Sequence, residues 1–285
     1  MPIRFFASLR LCANYENFPH KTQSRQFASL RLSAFARTMK ITVITPSFNS
    51  ADSIKACLDS IEHQSYKSIE HILIDGGSKD ETIKIAKNYC HLTTIISEPD
   101  LGIYDAMNKG IRLATGDIIG ILNSDDQYTS NQVLQLVHDK FKDSNIDAVY
   151  GDLNYINGAG KIIRKWRSGE YNRDFFLQGW MPPHPTFFIR KEYYEKYGLY
   201  NTDFSISADY ELMLRMLYRY KLHCAYIPEV LVSMRTGGHS NSSWRKRWIA
   251  NREDRKAWEI NDLRPGGMTL VKKPLIKLAQ YWQNR

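Results

Sequence analysis

The sequence predicts an α/β protein whose sheet is mostly parallel and carries helices on both faces. Three observations lead there. From Lys40 onward, short runs rich in Ile, Val and Thr alternate with segments of helical periodicity, the pattern of consecutive βαβ units. The run Asp117–Leu122, "DIIGIL", is apolar almost throughout, as a strand covered on both faces must be. Each strand-like run ends in a short turn bearing acids or hydroxyls, and open α/β sheets bind ligands beyond the carboxyl ends of their strands.

The elements follow in order. Lys40–Pro46 reads as the first strand. Ala51–Gln64 sets Ile54, Cys57, Leu58 and Ile61 at i, i+3, i+4 and i+7, one face of a helix. His71–Asp75, "HILID", is the second strand. Ser78-Lys79-Asp80-Glu81 has the spacing of a capping box and predicts a helix to about Tyr89. Thr93–Ser97 is a third strand, and Ile103–Thr115 a helix stopped by Gly116 at C′. Asp117–Leu122 is the fourth strand, Ser130–Phe141 a further helix and Asp147–Asp152 a further strand. Gly158-Ala159-Gly160-Lys161 is a hairpin turn, because Tyr155 and Ile162 stand where a phosphate loop needs Gly and Ser or Thr. Asp75-Gly76-Gly77-Ser78 lacks the GxGxxG spacing and follows the second strand, which argues against a nicotinamide enzyme.

Bulk properties narrow the function classes. A chain of 285 residues that is 43% hydrophobic suits one large domain, or one domain with a smaller appendage. It has no apolar run of the roughly 18 residues that would span a bilayer. The formal charge is +9, yet residues 1–38 hold six basic residues against one acid, so more than half of the excess lies there. A nucleic-acid-binding role is therefore not expected of the remainder. The same segment repeats "FASLRL" at Phe6–Leu11 and Phe27–Leu32. It reads as an over-extended start, with Met39 the natural first residue, or as a targeting segment. Cys12, Cys57, Cys90 and Cys224 form no CxxC pair, so neither a zinc knuckle nor a redox motif is expected, and a reduced, cytoplasmic setting is.

Asn123-Ser124-Asp125-Asp126 follows the fourth strand. Adjacent carboxylates repel. They fit either a turn with a helix N-cap or a hard divalent cation that also holds substrate phosphates. The turns Thr45–Asn49, Asp75–Ser78 and Glu98–Asp100 fall on the same predicted sheet edge, which favours the cation.

"ITVITPSFNSADSIKACLDSI", "HILIDGGSKDET", "EPDLGIYDAMNKGIRLATGDIIGILNSDD" and "HPTFFIRKEYYEKYGLYNTDFSISADYELMLRM" together resemble family 2 glycosyltransferases, with kin among bacterial enzymes of capsule, colanic acid and lipopolysaccharide assembly. The likeness covers roughly Lys40 to Gly238. It implies a nucleotide-diphospho-sugar transferase (GT-A-like) fold with a mixed sheet, and an inverting transfer from a nucleotide-diphospho-sugar, by default a UDP-sugar, to a glycan or lipid-linked acceptor. By the resemblance, Thr45, Pro46 and Ser47 lie against the nucleoside and Asp75 reads the base. Asp100, Asp105, Asn108 and Lys109 lie near the ribose and diphosphate. Asn123-Ser124-Asp125 matches the D-x-D metal motif with Asn in the first place, so Asp125 becomes the principal ligand of Mg2+ or Mn2+ and Asp126 an auxiliary one. Asp209 matches the catalytic base, although Ala208 stands where an acid commonly precedes it. His184 matches a position near the acceptor, or it orders a proline-rich loop. His239 is a further candidate at the metal or diphosphate. The Gln-x-x-Arg-Trp motif of processive members is absent, so one sugar per acceptor is expected.

The implied organisation is an extension at 1–38, a transferase domain at 39–240 with halves 39–127 and 128–240, and a helical tail at 241–285. The tail's "LVKKPLIKLAQYWQNR" mixes Trp282 and aliphatic residues with cations, which suits either peripheral contact with the cytoplasmic membrane face or a helix packed on the domain. The alternative to transfer is a nucleotidyltransferase or a sugar-nucleotide-binding protein of the same fold, but the former should carry a Gly-rich basic signature after strand one, which "TPSFNSADS" lacks.

Overall fold

The structure is a computed structural model and describes residues 38–236 and 244–263, with side chains from 248 onward in the second stretch. The chain divides at Thr38–Met39, and the described residues from Met39 on belong to one compact unit.

Among the described residues nine strands form one sheet in the order β3-β2-β1-β4-β8-β6-β9-β5, with β7 paired to β6. Strands β1 (Ile41–Ser47), β2 (Ile69–Asp75), β3 (Leu92–Ser97) and β4 (Ile118–Ile121) are parallel, as the alternation of strands and helices predicts. Beyond β4 the sheet turns mixed. β8 (Phe188–Arg190) runs antiparallel to both β4 and β6 (Ala148–Ile156), so β6 points the same way as β1 to β4. β9 (Cys224–Arg235) is parallel to β6, and β5 (Asp126–Tyr128) is antiparallel to β9. The hairpin of β6 and β7 (Ile162–Trp166) turns at the Gly158–Lys161 stretch.

Helices α1 (Ile54–Glu62), α2 (Thr82–Ala86), α3 (Ile103–Leu113) and α4 (Val133–Phe141) follow β1, β2, β3 and β5. α1 buries Ile54, Cys57, Leu58 and Ile61, the stripe its periodicity predicts. Later come α5 (Lys191–Tyr197), α6 (Ala208–Met213) running into a π-helical turn at Leu214–Arg219, and α7 (Trp244–Ile260). Two large clusters of buried apolar side chains form the core. One holds Ile72, Ile119, Tyr150 and Trp258, the other Val43, Val137, Phe188 and Val232.

Several local expectations are corrected. Ser78–Glu81 is no capping box: α2 starts at Thr82 without a side-chain cap, because Ser78 is drawn to Asp75 instead. α3 ends at Leu113, not Thr115. Ala114 is extended, Thr115 bonds to Glu70, and Gly116 donates its N–H to Thr42 rather than closing the helix. The segment from 241, expected to be helical, supplies α7 among the described residues, and Ala257 and Trp258 of α7 are fully buried in the core, in keeping with the alternative of a helix packed on the domain. No described helix is long and apolar enough to cross a membrane.

Candidate active site

Three neighbouring strands end in register: Ser47 pairs with Asp75, and Asp75 with Ser97. The strand order reverses between β1 and β4, since β2 and β3 lie on one side of β1 and β4 on the other. Such a switch point opens a crevice at the carboxyl edge. The loops after β1 and β4 line it and are tied together by the hydroxyls of Ser50 and Ser124, 2.8 Å apart.

Asp75 anchors the β2 side. Its side chain is fully buried. It accepts hydrogen bonds from the hydroxyls of Ser47, Ser78 and Ser97 and from the backbone N–H of Gly77 and Ser78. Burial alone would raise its carboxyl, but the Ser78, Ser97 and Ser47 donors outweigh that and hold it below the usual range. Gly77 turns the loop at φ 82°, a left-handed conformation that glycine adopts without strain. At Gly76 a Cβ would stand 2.7 Å from Asp100 Oδ2 and 3.3 Å from the Phe48 ring, so the bare backbone lets Asp100 and the 58% exposed Phe48 lie against it.

The rim opposite is the entry to α3. Gly102 N–H donates to Asp100 Oδ1 and Leu101 N–H to Asp105 Oδ2. Lys109 ties the turn down through Glu98 Oε1 at 2.9 Å and the Pro99 carbonyl at 3.1 Å. Asp105 and Lys109 therefore face the rim, one helical turn apart.

Two expected donor contacts are turned elsewhere. Asn108 is 3% exposed and grips Tyr200 reciprocally, donating to its carbonyl at 2.8 Å and accepting from its N–H at 2.9 Å. It braces the second half of the fold rather than facing a ribose. Thr45 is fully buried, with its hydroxyl on His71 Nε2 at 3.0 Å. That ring meets His91 Nε2 at 3.0 Å through its Nδ1. Desolvation, then His91, pushes His71 well below its usual value, so it is neutral. The pair is separated by 20 residues and has no signal in the sequence.

After β4, Asn123 donates to Asp126 Oδ2 at 3.2 Å. Asp126 is 1% exposed, and burial, then the charge of Asp125, pushes its carboxyl well above the usual range. Asp126 Oδ1 and Asn123 Oδ1 are buried with no hydrogen-bond partner among the described residues. Asp125 is half-buried at the same turn. The unpartnered buried oxygens of Asn123 and Asp126, with the Asp125 carboxylate beside them, fit a hard cation. Among the described residues no three His, Cys, Asp or Glu side chains converge. Asp125 and Asp126 are the two carboxylates of this turn that could hold a cation. His239 lies outside the described residues.

Asp209 reaches the same edge from the other half. It sits half-buried in the first turn of α6, and its charge is felt by the rings of His184, Tyr200 and Tyr104. His184 Nε2 lies 2.7 Å from the Tyr200 hydroxyl, and burial lowers its basicity. It opens the short turn before β8, which by the antiparallel pairing lies at the carboxyl edge of β4. Glu211 points away. It is 2% exposed, paired to Arg215 and bonded to Asn261. Tyr104 of α3 donates to the Ile206 carbonyl at 2.6 Å. Together with Asn108 it makes one face of α3 a brace between the two halves. The i, i+4 spacing of Tyr104 and Asn108 was visible in the sequence, but their partners about 90 to 100 residues on were not.

The chain matches the profile of Glycosyl transferase family 2 over residues 42–204. It is 32% identical over 218 residues to a PGL/p-HBAD biosynthesis glycosyltransferase of Mycobacterium bovis, covering 73% of this chain and 82% of that one. Its fold is similar to TarS of S. aureus at a TM-score of 0.62 and 18% identity, over 86% of this chain and 43% of that one; a TarS 1–349 structure holds UDP-GlcNAc. It is also similar to the mannosyltransferase PcManGT of Pyrobaculum calidifontis, solved with GDP-Man and Mn2+, at a TM-score of 0.60 and 19% identity, over 91% of this chain and 78% of that one.

Proposed function

The chain belongs to glycosyl transferase family 2 and has its nucleotide-diphospho-sugar transferase (GT-A-like) fold, and on that premise we propose that it moves one sugar, with inversion, from a nucleotide-diphospho-sugar to a hydroxyl of a glycan or lipid-linked acceptor in cell-surface polysaccharide assembly. The observation that supports the reading is a pair of half-buried carboxylates from opposite halves of the chain, Asp125 after β4 and Asp209 on α6, the latter near His184, which precedes β8 at the carboxyl edge of β4.

The crevice between the β1 and β4 loops takes the nucleotide, with Phe48, Asp100 and the Asp75 loop at the base and ribose. A UDP-sugar is the first candidate, as bound by TarS. Asp125, with Asp126 behind it, would hold Mg2+ or Mn2+, which when bound supplies Lewis acidity toward the leaving diphosphate. Asp209 takes the proton of the acceptor hydroxyl as that oxygen bonds to the anomeric carbon and the sugar–phosphate bond breaks. A single displacement needs no covalent enzyme intermediate and inverts configuration, as in inverting glycosidases. His184 and Tyr200 wall the acceptor side. Contact of the 241–285 segment with the cytoplasmic membrane face would let the site meet a lipid-linked acceptor. Equal flotation on anionic liposomes with and without residues after 265 would rule that contact out.

The test is a panel of nucleotide-sugars with Mn2+ or Mg2+, read by thermal shift and by release of nucleoside diphosphate. One nucleotide-sugar class should raise the melting temperature and be turned over only with the cation. If no member of the panel does either, the reading fails.

A further inference from the structure

We infer that Glu253, on the C-terminal helix α7, is a positioning residue for Asp209, holding from outside the segment that launches the first turn of α6. The inference rests on the reading of Asp209 as the base.

The segment Ser205–Ser207 enters α6 without a cap of its own: Ser207, at the N-cap, makes no capping side-chain bond. Backbone N–H groups just before a helix lie outside its ladder and need partners from elsewhere. Glu253 supplies them for Ser205, Ile206 and Ser207 across 46 to 48 residues of sequence. Its Oε1 accepts from the Ser205 N–H at 2.8 Å and hydroxyl at 2.6 Å. Its Oε2 accepts from the N–H of Ile206 and of Ser207, each at 2.9 Å. Burial works against the charge, but the Ser205 hydroxyl and the three N–H donors overcome it and keep the carboxylate ionised. Ile206 is held on its other side too, since its carbonyl accepts from Tyr104 of α3. Downstream of Asp209, α7 grips again: Trp258 donates to the Tyr210 hydroxyl at 2.9 Å and Asn261 to Glu211 at 3.0 Å. Asp209 is thus the half-buried residue of a turn fixed on both flanks by one helix. A general base must meet its proton within hydrogen-bond reach, and a displacement of about 1 Å can cost roughly 100-fold. The cap therefore bears on the chemical step, whereas nucleotide binding on the opposite half needs none of it.

The experiment compares wild type, Glu253→Gln, Glu253→Ala and Asp209→Asn in steady-state transfer from whichever nucleotide-sugar is turned over, with melting temperatures and amide exchange at Ser205–Ser207. The expected result is kcat falling about 10- to 100-fold in Glu253→Ala and less in Glu253→Gln, which keeps one acceptor oxygen. The donor KM should stay unchanged, and the Ser205–Ser207 amides should exchange faster. Wild-type kcat in either Glu253 variant overturns the inference, as does a parallel worsening of kcat and donor KM that tracks lost stability. Should Glu253→Ala not fold, Glu253→Gln carries the comparison alone. If Asp209→Asn transfers at the wild-type rate, the base assignment has failed; if only the Glu253 variants do, the positioning role has failed by itself.

Discussion

Asp125 and Asp126 are chemically identical neighbours that the fold makes unequal. Asp126 is sealed under the turn and bonded to Asn123, whereas Asp125 is half-buried at the edge. Replacing Asp125 by Asn should cut turnover by about 100-fold or more, the scale of losing one stabiliser of developing charge, and weaken cation-dependent nucleotide binding. Asp126→Asn should cost less and leave the fold at least as stable, because a buried acid beside a like charge is expensive to ionise. The reverse order in turnover assays would exchange their roles. His71 offers a second test. Its folded-state value lies below the ordinary 6.5 through burial and then His91, so its contribution to stability is complete above pH 6.5 and is lost as pH falls through that value toward the folded one. The urea midpoint should fall between about pH 7 and pH 5, at up to about 1.4 kcal/mol per pH unit per proton, and His71→Asn should flatten that limb. A wild-type midpoint that holds or rises over that range contradicts the assignment.

Helix α3 shows at the element scale what was legible and what was not. The sequence placed it at Ile103–Thr115, with Gly116 as its stop, and the resemblance set Asp105, Asn108 and Lys109 near the ribose and diphosphate. Yet the structure spends the Asn108 side chain on Tyr200. Local spacing locates a helix face; only tertiary pairing says what the face meets. The same limit explains Ser78, where a capping-box pattern lost to the five-donor cage of Asp75. The short strand β5 went unread because three residues have no period of their own and are defined by pairing with β9 about 100 residues later. Asn108→Ala should destabilise by about 1–3 kcal/mol through the two orphaned backbone groups of Tyr200. It should also lower transfer more than nucleotide affinity, measured by calorimetry beside initial rates. Loss of nucleotide affinity with transfer intact would restore Asn108 to the donor site.

At the scale of the whole molecule, the parallel half was readable from alternating strands and helices. Of the rest, the start of β6 and the turn after it were readable, whereas β8 and β9 were not, because β8 is three residues long and follows short 3-10 turns that carry no periodic signal, and β9 is placed by its pairing with β6. Residues 1–38 repeat "FASLRL" and hold six basic residues against one acid, unlike the folded domain. A chain beginning at Met39 should fold with an unchanged melting temperature and retain transfer; failure to fold would give residues 1–38 a structural part. The central claim is that donor handling and acceptor activation sit on separate carboxylates from opposite halves of the chain. The most direct measurement is transfer rate beside cation-dependent nucleotide affinity for Asp209→Asn, with Glu211→Gln as the control two residues away. The account predicts that Asp209→Asn loses about 10²- to 10⁴-fold in transfer, the share a general base supplies, at unchanged nucleotide affinity. Glu211→Gln, which breaks a buried pair with Arg215, should lose stability first. Wild-type transfer in Asp209→Asn, or loss of transfer confined to Glu211→Gln in folded protein, would contradict it.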